Sequence, residues 1–478
     1  MMKVMLIFPP NVEVIEPFKS AKRKPPKLLW GFPLGIGYLG SVLRQKGFNV
    51  SILDSCFEGM HMDDIVNKVE EFKPAVVGIG CLTHILKTSV VLAKAIKKRD
   101  ENIKVVFGGP HATYDYENLL KMNALDWVVI GEGENTFTEL CEKIKNGQSV
   151  DNVKGIAFRD CDGNIKKTAL RPLIEDLDNV PFPARDLVDF GKYIKSYGVL
   201  EKSVDIMSSR GCVNRCIFCS SSHLFGKWRT RSSQDIIAEI SELVEKYPEI
   251  KSVNFMDDDF TANKQRVMEL CNLLISTGLN RLNWVCLARV DQLDEEMVHS
   301  MKLAGCLRVH LGIESGSPEI LKNINKRISL QQARSAVKLL SREKIEAFSF
   351  FMVGHPGETK QTIALTKRFA HELKSANTGF FISQVFPGTA LARLQPIRDW
   401  VSYVYEPEIN NPSIFTHPCI PNFIPAGFTR ESLKKICAGI TKQFIFLHFV
   451  RRAPLFLKKL IIEPKETFKY IMDVFFTK

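Results

Sequence analysis

The sequence predicts an α/β fold: an N-terminal doubly wound parallel sheet, a partial (β/α)6 barrel after it, and a helical C-terminal region. Three observations carry this. Five short apolar, β-branched runs alternate with helical patterns before residue 150, six further strand-like runs alternate with helices over residues 204–392, and the alternation stops after Leu391. Strands buried on both faces read as nearly unbroken apolar runs, and strands alternating with helices build parallel sheets.

In the first domain, residues 1–150, the runs 4–8, 49–54, 75–80, 104–109 and 127–131 read as strands, and 36–46, 62–72 and 88–99 as helices. The order is Rossmann-like, and ligands of such sheets sit at the carboxyl ends of the strands. Those ends carry Phe8-Pro9-Pro10-Asn11, Cys81-Leu82-Thr83, Gly108-Gly109-Pro110-His111-Ala112 and Gly131-Glu132-Gly133-Glu134. Glycine there allows positive φ and close approach of a ligand to the backbone, and each segment alone serves equally as an ordinary turn.

Residues 151–203 join the two larger domains. A hairpin over 153–170 turns at Asp160-Cys161-Asp162-Gly163-Asn164, and a proline-punctuated connector runs from Arg171-Pro172 to Pro181-Phe182-Pro183-Ala184. In the domain 204–392, residues 204–208, 252–256, 283–288, 307–313, 347–353 and 379–385 are strand-like. Six βα repeats are the pattern of a partial barrel, whose chemistry gathers at the C-terminal strand ends. Those ends read Asp257-Asp258-Asp259-Phe260, Arg289-Val290-Asp291, Glu314-Ser315-Gly316-Ser317, Gly354-His355-Pro356-Gly357-Glu358-Thr359 and Pro387-Gly388-Thr389, more polar groups and glycines than turns require.

Directly after the first barrel strand stands Arg210-Gly211-Cys212-Val213-Asn214-Arg215-Cys216-Ile217-Phe218-Cys219, three cysteines spaced CxxxCxxC. Three thiolates hold three irons of a four-iron, four-sulfur cluster, whereas a closed cluster takes four. One iron is left for a non-protein ligand, and an open metal position points to chemistry. A zinc knuckle completed by His223 and an accidental spacing of buried thiols are the alternative readings.

Cys212, Cys216, Phe218 and Cys219 resemble the CxxxCx-aromatic-C loop of radical S-adenosylmethionine (SAM) enzymes. The resemblance implies a [4Fe-4S] cluster on the three cysteines, with SAM chelated at the open iron and cleaved by one electron to methionine and a deoxyadenosyl radical. In such a division the cofactor carries the radical chemistry and the protein orients it. The resemblance further implies SAM contacts for Phe218 through backbone amides to adenine, for Asp257 within its acidic run, for Arg289 to the SAM carboxylate, for Glu314 to ribose or amine with Ser315 beside it in the same SAM-binding motif, and for Gly354 and Pro356 near adenine. A carboxylate suits hydroxyls and ammonium, and a guanidinium suits a carboxylate. Three alternatives stay open: a salt-bridge or capping role for Glu314, a pair of Arg289 with Asp291 or Asp257, and a hard-cation site on the acidic run. His355 stands where relatives carry an apolar residue, and is either an acid–base group or a supporting one.

The Gly-Gly-Pro-His and Gly-Glu-Gly-Glu strand ends resemble the cobalamin-binding domain fused to many radical SAM enzymes. That implies a cobalamin site at Gly108, Gly109, Pro110, His111, Gly131, Glu132 and Gly133. The Asp-x-His-x-x-Gly loop that supplies a cobalt ligand in other cobalamin proteins does not follow strand one. Asp54-Ser55-Cys56-Phe57-Glu58-Gly59 mimics its spacing without the histidine, so no protein histidine is expected on cobalt. Nearly the whole chain is similar to the group that contains hopanoid methylases and the anaerobic magnesium-protoporphyrin ester cyclase. The implied reaction is cobalamin-dependent methylation of an unactivated carbon. Radical cyclisation or rearrangement without methyl transfer, and a non-catalytic iron-sulfur electron-transfer or sensor protein, are the alternatives. A tRNA methylthiotransferase would carry cysteines for a second cluster in the N-terminal domain and a small β-barrel after the radical domain; Cys56, Cys81 and Cys141 do not fit.

At 478 residues and 45% hydrophobic content the chain is large enough for several domains. It has no run of apolar residues long enough to span a bilayer, and its N-terminus leads into a strand rather than a secretory signal. Cysteines that must stay reduced imply the cytoplasm. The formal charge of +12 gathers in residues 19–27 and after Arg430, in a loop and a tail, so no nucleic-acid face is expected. The region 393–478 reads as helical from 428 on, with Phe444-Ile445-Phe446-Leu447-His448-Phe449-Val450 beside Arg451-Arg452. Such clusters lie in a membrane interface or against the protein body. The expected partners are a small-molecule substrate of lipid-like or hydrophobic character, a reducing donor such as flavodoxin or ferredoxin, and a peripheral membrane contact.

Overall fold

A computed structural model describes residues 1–10, 31–197, 199–394 and 423–462; the basic stretch 19–27 and the end of the tail lie outside the described residues. Two compact units are distinct. Among the described residues, one holds 1–287, 303–306 and 385–394, and the other 288–302, 307–384 and 423–462.

The first unit begins with a seven-stranded sheet. Strands β1 (Lys3–Phe8), β2 (Asn49–Asp54), β3 (Val76–Gly80), β4 (Lys104–Gly108) and β5 (Trp127–Val129) run parallel in the order β2-β1-β3-β4-β5. The hairpin β6 (Ile156–Arg159) and β7 (Ile165–Lys167) then extends the same sheet antiparallel. Val4, Met5, Leu6 and Ile7 are buried, as are Val76, Val77, Val105, Val106 and Phe107, because helices cover both faces. Helix α1 (Leu34–Gln45) packs on α5 (Gly133–Lys145), and α2 (Met62–Phe72) on α3 (Leu86–Arg99); α4 (Pro110–Lys121) follows β4. The strand order reverses between β1 and β3, which opens a crevice at their carboxyl ends.

The same unit holds the start of the second sheet. Short β8 (Lys195–Tyr197) runs antiparallel to β9 (Leu200–Ile206), and β12 (Ser252–Phe255) lies parallel to both β9 and β13 (Asn283–Ala288). A two-stranded ribbon, β10 (Ser209–Arg210) with β11 (Arg229–Thr230), closes the cysteine loop at its base. Helices α6 (Ser233–Lys246) and α7 (Lys264–Ser276) start from Ser232 and Asn263, whose side chains accept from the backbone amides of Asp235 and Arg266. Phe255, Phe260 and Trp284 form a buried cluster with ring centroids 4.8–5.6 Å apart, and the Trp284 indole donates to Ala304 O at 2.8 Å.

In the second unit β14 (Cys306–Glu314), β15 (Glu346–Val353) and β16 (Asn377–Ile382) are parallel neighbours. Helices α8 (Glu295–Leu303), α9 (Pro318–Asn323), α10 (Leu330–Arg342) and α11 (Lys360–Leu373) complete its βα repeats. α10 starts from a capping box in which Gln332 N donates to Ser329 Oγ at 3.1 Å and Ser329 N to Gln332 Oε1 at 2.8 Å. The tail helix α12 (Arg430–Ile462) lies on β16 through Leu433, Cys437, Ile440 and Phe444, all buried and spaced four, three and four residues apart. All six expected barrel strands are therefore present. The first begins at Leu200 and stops at Ile206 rather than Ser208, because Ser208 and Ser209 turn toward the Asp257 carboxylate. The sixth ends at Ile382 rather than Val385, although Ser383 N still donates to Val353 O at 2.8 Å.

Candidate functional site

The cysteine loop is framed by acids. Asp257 Oδ1 accepts from the amides of Ser208 at 2.7 Å and Ser209 at 3.1 Å, and Oδ2 accepts from both serine hydroxyls, with Arg266 Nη2 at 3.8 Å. Asp258 accepts from Ser221 Oγ at 2.6 Å just beyond the loop, and the Cys212 thiol donates to Asp259 Oδ2 at 3.5 Å. Gly211 has φ +86°, and a Cβ there would stand 2.5 Å from Lys227 O, so this position requires glycine. Cys216 is buried and Cys212 and Cys219 are half-buried. Burial, and then Asp259, push the Cys212 thiol up to about 12, so a metal must displace its proton for thiolate ligation.

Among the described residues no three His, Cys, Asp or Glu side chains converge as one metal ion requires. At the loop's middle, Leu391 N donates to Ile217 O at 2.8 Å, and Gly388 brings its backbone against the Tyr114 ring.

At the crevice of the first sheet lies an open, mostly apolar cavity of about 320 Å³. Gly80 to Leu82, Gly108 to Pro110 and Gly131 to Glu134 form its strand-end wall; Met207, Arg210, Leu224 and Phe225, which flank the cysteine loop, close another side. At Gly131 a Cβ would meet nothing within 4 Å, and at Gly108 only Val129 at 3.9 Å, so side chains at these positions would occupy the cavity itself. The backbone at Gly108 and Gly131 is thus open to close approach by a ligand, as the corrin side of a cobalamin would require. His111 is buried, its Nδ1 3.0 Å from Thr83 Oγ1 and its Nε2 3.3 Å from Asp115 Oδ2, so its ring braces α4. Glu132 accepts from Arg210, Arg229 and the Ile174 amide. Burial alone would raise its carboxyl, but hydrogen bonds from Arg229 and Arg210 outweigh that and hold it below the usual range.

In the second unit, Glu314 closes β14 at φ +71°, a strained conformation for a non-glycine residue, and pairs with Lys326 Nζ at 2.9 Å. Arg289 engages Asp291 through Nε and Nη2, each at 3.0 Å, and Nη2 also donates to Lys326 O at 2.9 Å. The Ser315 hydroxyl is 3.0 Å from Thr366 Oγ1 and accepts from Ser317 N. The turn at Gly354 (φ +92°) wraps Glu358, which accepts from Gly354 N, His355 N and Thr362 Oγ1, while Pro356 O accepts from Asn323. Burial, and then Lys326, push His355 down to about 3, so it is neutral at physiological pH and supplies no acid–base couple there. The parts played by Glu132, Arg229 and Lys326 in these networks escaped the sequence reading; the only local signal was an arginine next to the cysteine motif.

Residues 206–370 match the radical SAM superfamily and residues 30–141 the B12 binding domain. An uncharacterized methyltransferase of Pyrococcus horikoshii is 36% identical over 392 residues, covering 82% of each chain. Cytidylyl-2-hydroxyethylphosphonate methyltransferase of Streptomyces wedmorensis is 30% identical, over 76% of this chain and 77% of that protein. The fold is similar to that of the radical SAM methyltransferase TsrM from Kitasatospora setae, solved with cobalamin and a [4Fe-4S] cluster. The TM-score is 0.67 at 20% identity, over 82% of this chain and 77% of that one.

Proposed function

Because the chain belongs to the radical SAM enzymes that carry a B12-binding domain, with a [4Fe-4S] cluster, SAM and cobalamin as cofactors, we propose that it transfers a methyl group to an unactivated carbon of a small molecule. The observation that carries this is the adjacency, within one unit, of the three-cysteine loop and the strand-end cavity, whose lining includes Met207, Arg210, Leu224 and Phe225. When bound, the cluster supplies the electron that cleaves SAM and the cobalamin supplies the methyl group.

The chain's own residues hold and orient. Cys212, Cys216 and Cys219 are assigned as the iron ligands, and Gly108, Gly109, Pro110, Gly131, Glu132 and Gly133 as the corrin-side wall, with His111 bracing it from behind. Phe218, Glu314, Ser315, Gly354 and Pro356 are assigned to SAM. The polar atoms of Asp257 and Arg289 have protein partners, which favours roles as frames of the SAM-binding loops. The domain limits are taken as 1–150, 151–203, 204–392 and 393–478.

A reductant, of flavodoxin or ferredoxin type, completes the requirement. One face of the second unit's sheet is aromatic, with His310, Phe348, Phe350 and Phe381 at centroid separations of 4.6–5.6 Å, which favours a substrate with an apolar portion. No helix among the described residues is long and apolar enough to cross a membrane. Phe446 and Val450 are exposed one turn apart on α12, which supports a peripheral contact with an apolar surface. Reduced iron-binding thiols favour a reducing compartment.

The test is anaerobic reconstitution. Added SAM should change the cluster spectrum, hydroxocobalamin should be retained with an altered visible spectrum, and reduction should yield deoxyadenosine. Comparing metabolites and lipids of a deletion strain should reveal a species lacking one methyl group. A cluster spectrum indifferent to SAM, with no deoxyadenosine, would favour the electron-transfer or sensor reading.

A further inference from the structure

We propose that Glu132 is a positioning residue: through Arg210 and Arg229 it locks the base of the cysteine loop to the strand end that lines the cobalamin cavity, and so fixes the spacing between the two cofactors. This rests on the reading above that both cofactors bind.

The loop is closed by the β10–β11 ribbon, and the residues facing each other across it are Arg210 and Arg229. Like charges directly opposite on paired strands repel. Here both reach one carboxylate: Arg210 Nη1 lies 2.8 Å from Glu132 Oε1, and Arg229 Nη1 lies 3.0 and 2.9 Å from its two oxygens. Glu134 takes the other Arg210 nitrogen, Nη2, at 2.6 Å. Two guanidinium and two carboxylate groups thus form a neutral network whose side chains are 4–8% exposed. The Ile174 amide gives Glu132 a further bond at 2.8 Å.

Location separates this network from an ordinary buried ion pair. Glu132, Glu134 and Arg210 line the cavity, and Arg210 is two residues before Cys212. A planar, forked guanidinium bound by two oxygens has little freedom to slide, unlike an ammonium. The cavity wall and the cluster loop therefore move together, and transfer chemistry is sensitive to misplacement on the ångström scale.

The test uses the full chain loaded with cluster and cobalamin, poised so that the reduced cluster and cob(II)alamin are both paramagnetic. Pulsed electron paramagnetic resonance then reads how strongly the cluster speeds cob(II)alamin relaxation. Glu132→Gln, which keeps the shape and removes the charge, should retain iron and cobalamin but weaken that enhancement by about twofold or more, with a broader distribution. Glu132→Asp should recover part of it. Arg210→Lys, which keeps the charge but cannot hold Glu132 and Glu134 on separate nitrogens of one rigid fork, should broaden the distribution in the same sense.

Wild-type enhancement in a fully loaded Glu132→Gln protein overturns the proposal. So does a Glu132→Gln protein that fails to fold while Arg210→Lys behaves as wild type, since the network would then be a folding element only. A wild-type chain that takes up no cobalamin removes the proposal together with the reading beneath it, an outcome distinct from either variant result.

Discussion

Replacing Asp257 by Asn tests whether the acidic run frames the cysteine loop. The carboxylate is buried and accepts four hydrogen bonds, two from the Ser208 and Ser209 amides and two from their hydroxyls, with Arg266 at 3.8 Å. Asparagine keeps an oxygen for the two amides. Their bonds fall from the charged class, about 1.5–3 kcal/mol each, to the neutral class, about 0.5–1.5, a loss of roughly 2 kcal/mol for the pair. The new amide also leaves the buried Arg266 guanidinium without its counter-charge, adding about 3 kcal/mol and giving about 5 kcal/mol in all. For a domain of this size that corresponds to a fall of about 10–20 °C in thermal midpoint. Anaerobic thermal unfolding followed by circular dichroism, with iron content per chain, measures both consequences: the midpoint should drop and cluster loading should fall with it. Asp258→Asn is the internal control. Burial raises the Asp258 carboxyl, so neutralising it should change stability by less than about 1 kcal/mol. An Asp257→Asn protein that melts within about 2 °C of wild type and binds iron fully would refute the framing argument.

Three further outcomes follow from the same geometry. Burial raises the Asp54 carboxyl from 3.8 to about 6, so the folded chain holds a proton that the unfolded chain releases between those values. The associated stability, about 3 kcal/mol, is fully present below pH 3.8 and lost as pH rises through 6. Asp54→Asn should flatten that part of the melting-temperature profile, and an unchanged profile would contradict it. Gly388→Ala should destabilise by at least about 1–2 kcal/mol, because φ is +80° and the new Cβ would sit 2.4–2.5 Å from the Tyr114 ring; Tyr114→Ala should relieve the steric part and leave the backbone part in a double-mutant melting series. Lys326→Met should cost about 3–5 kcal/mol by leaving the Glu314 carboxylate unpaired, and adding Glu314→Gln should restore most of it in denaturant titration.

The parallel strands of both sheets were legible because each is rich in apolar residues and ends in glycine or a polar turn, whereas the short antiparallel β8, Lys-Ser-Tyr, carries no such signal. Residues 49–54 and 283–288 matched at both ends for that reason. Where the reading slipped, the cause lay far away in the chain: Ser208 has strand-like neighbours, yet Asp257, 49 residues on, pulls its amide out of the ladder. The tail illustrates the converse. Of its apolar cluster 444–450, Phe444 packs on β16 together with Leu433, Cys437 and Ile440, whereas Phe446 and Val450 are exposed.

The site divides along the same line. Cysteine spacing is local, so the three candidate iron ligands could be read directly, as could the glycines that line the cavity. Partner choice among charges is not local: Glu132 reaches Arg210 and Arg229 across 78 and 97 residues, and no periodicity links them. A motif therefore identifies which residue types meet a cofactor, while the partners that orient them emerge only when the chain folds. Arg289 makes the point, since its sequence neighbour Asp291 occupies the guanidinium fork and its contact with Lys326 O ties it to the segment that pairs with Glu314. A substitution at Arg289 should consequently act on Glu314 through Lys326 even where it touches no ligand itself.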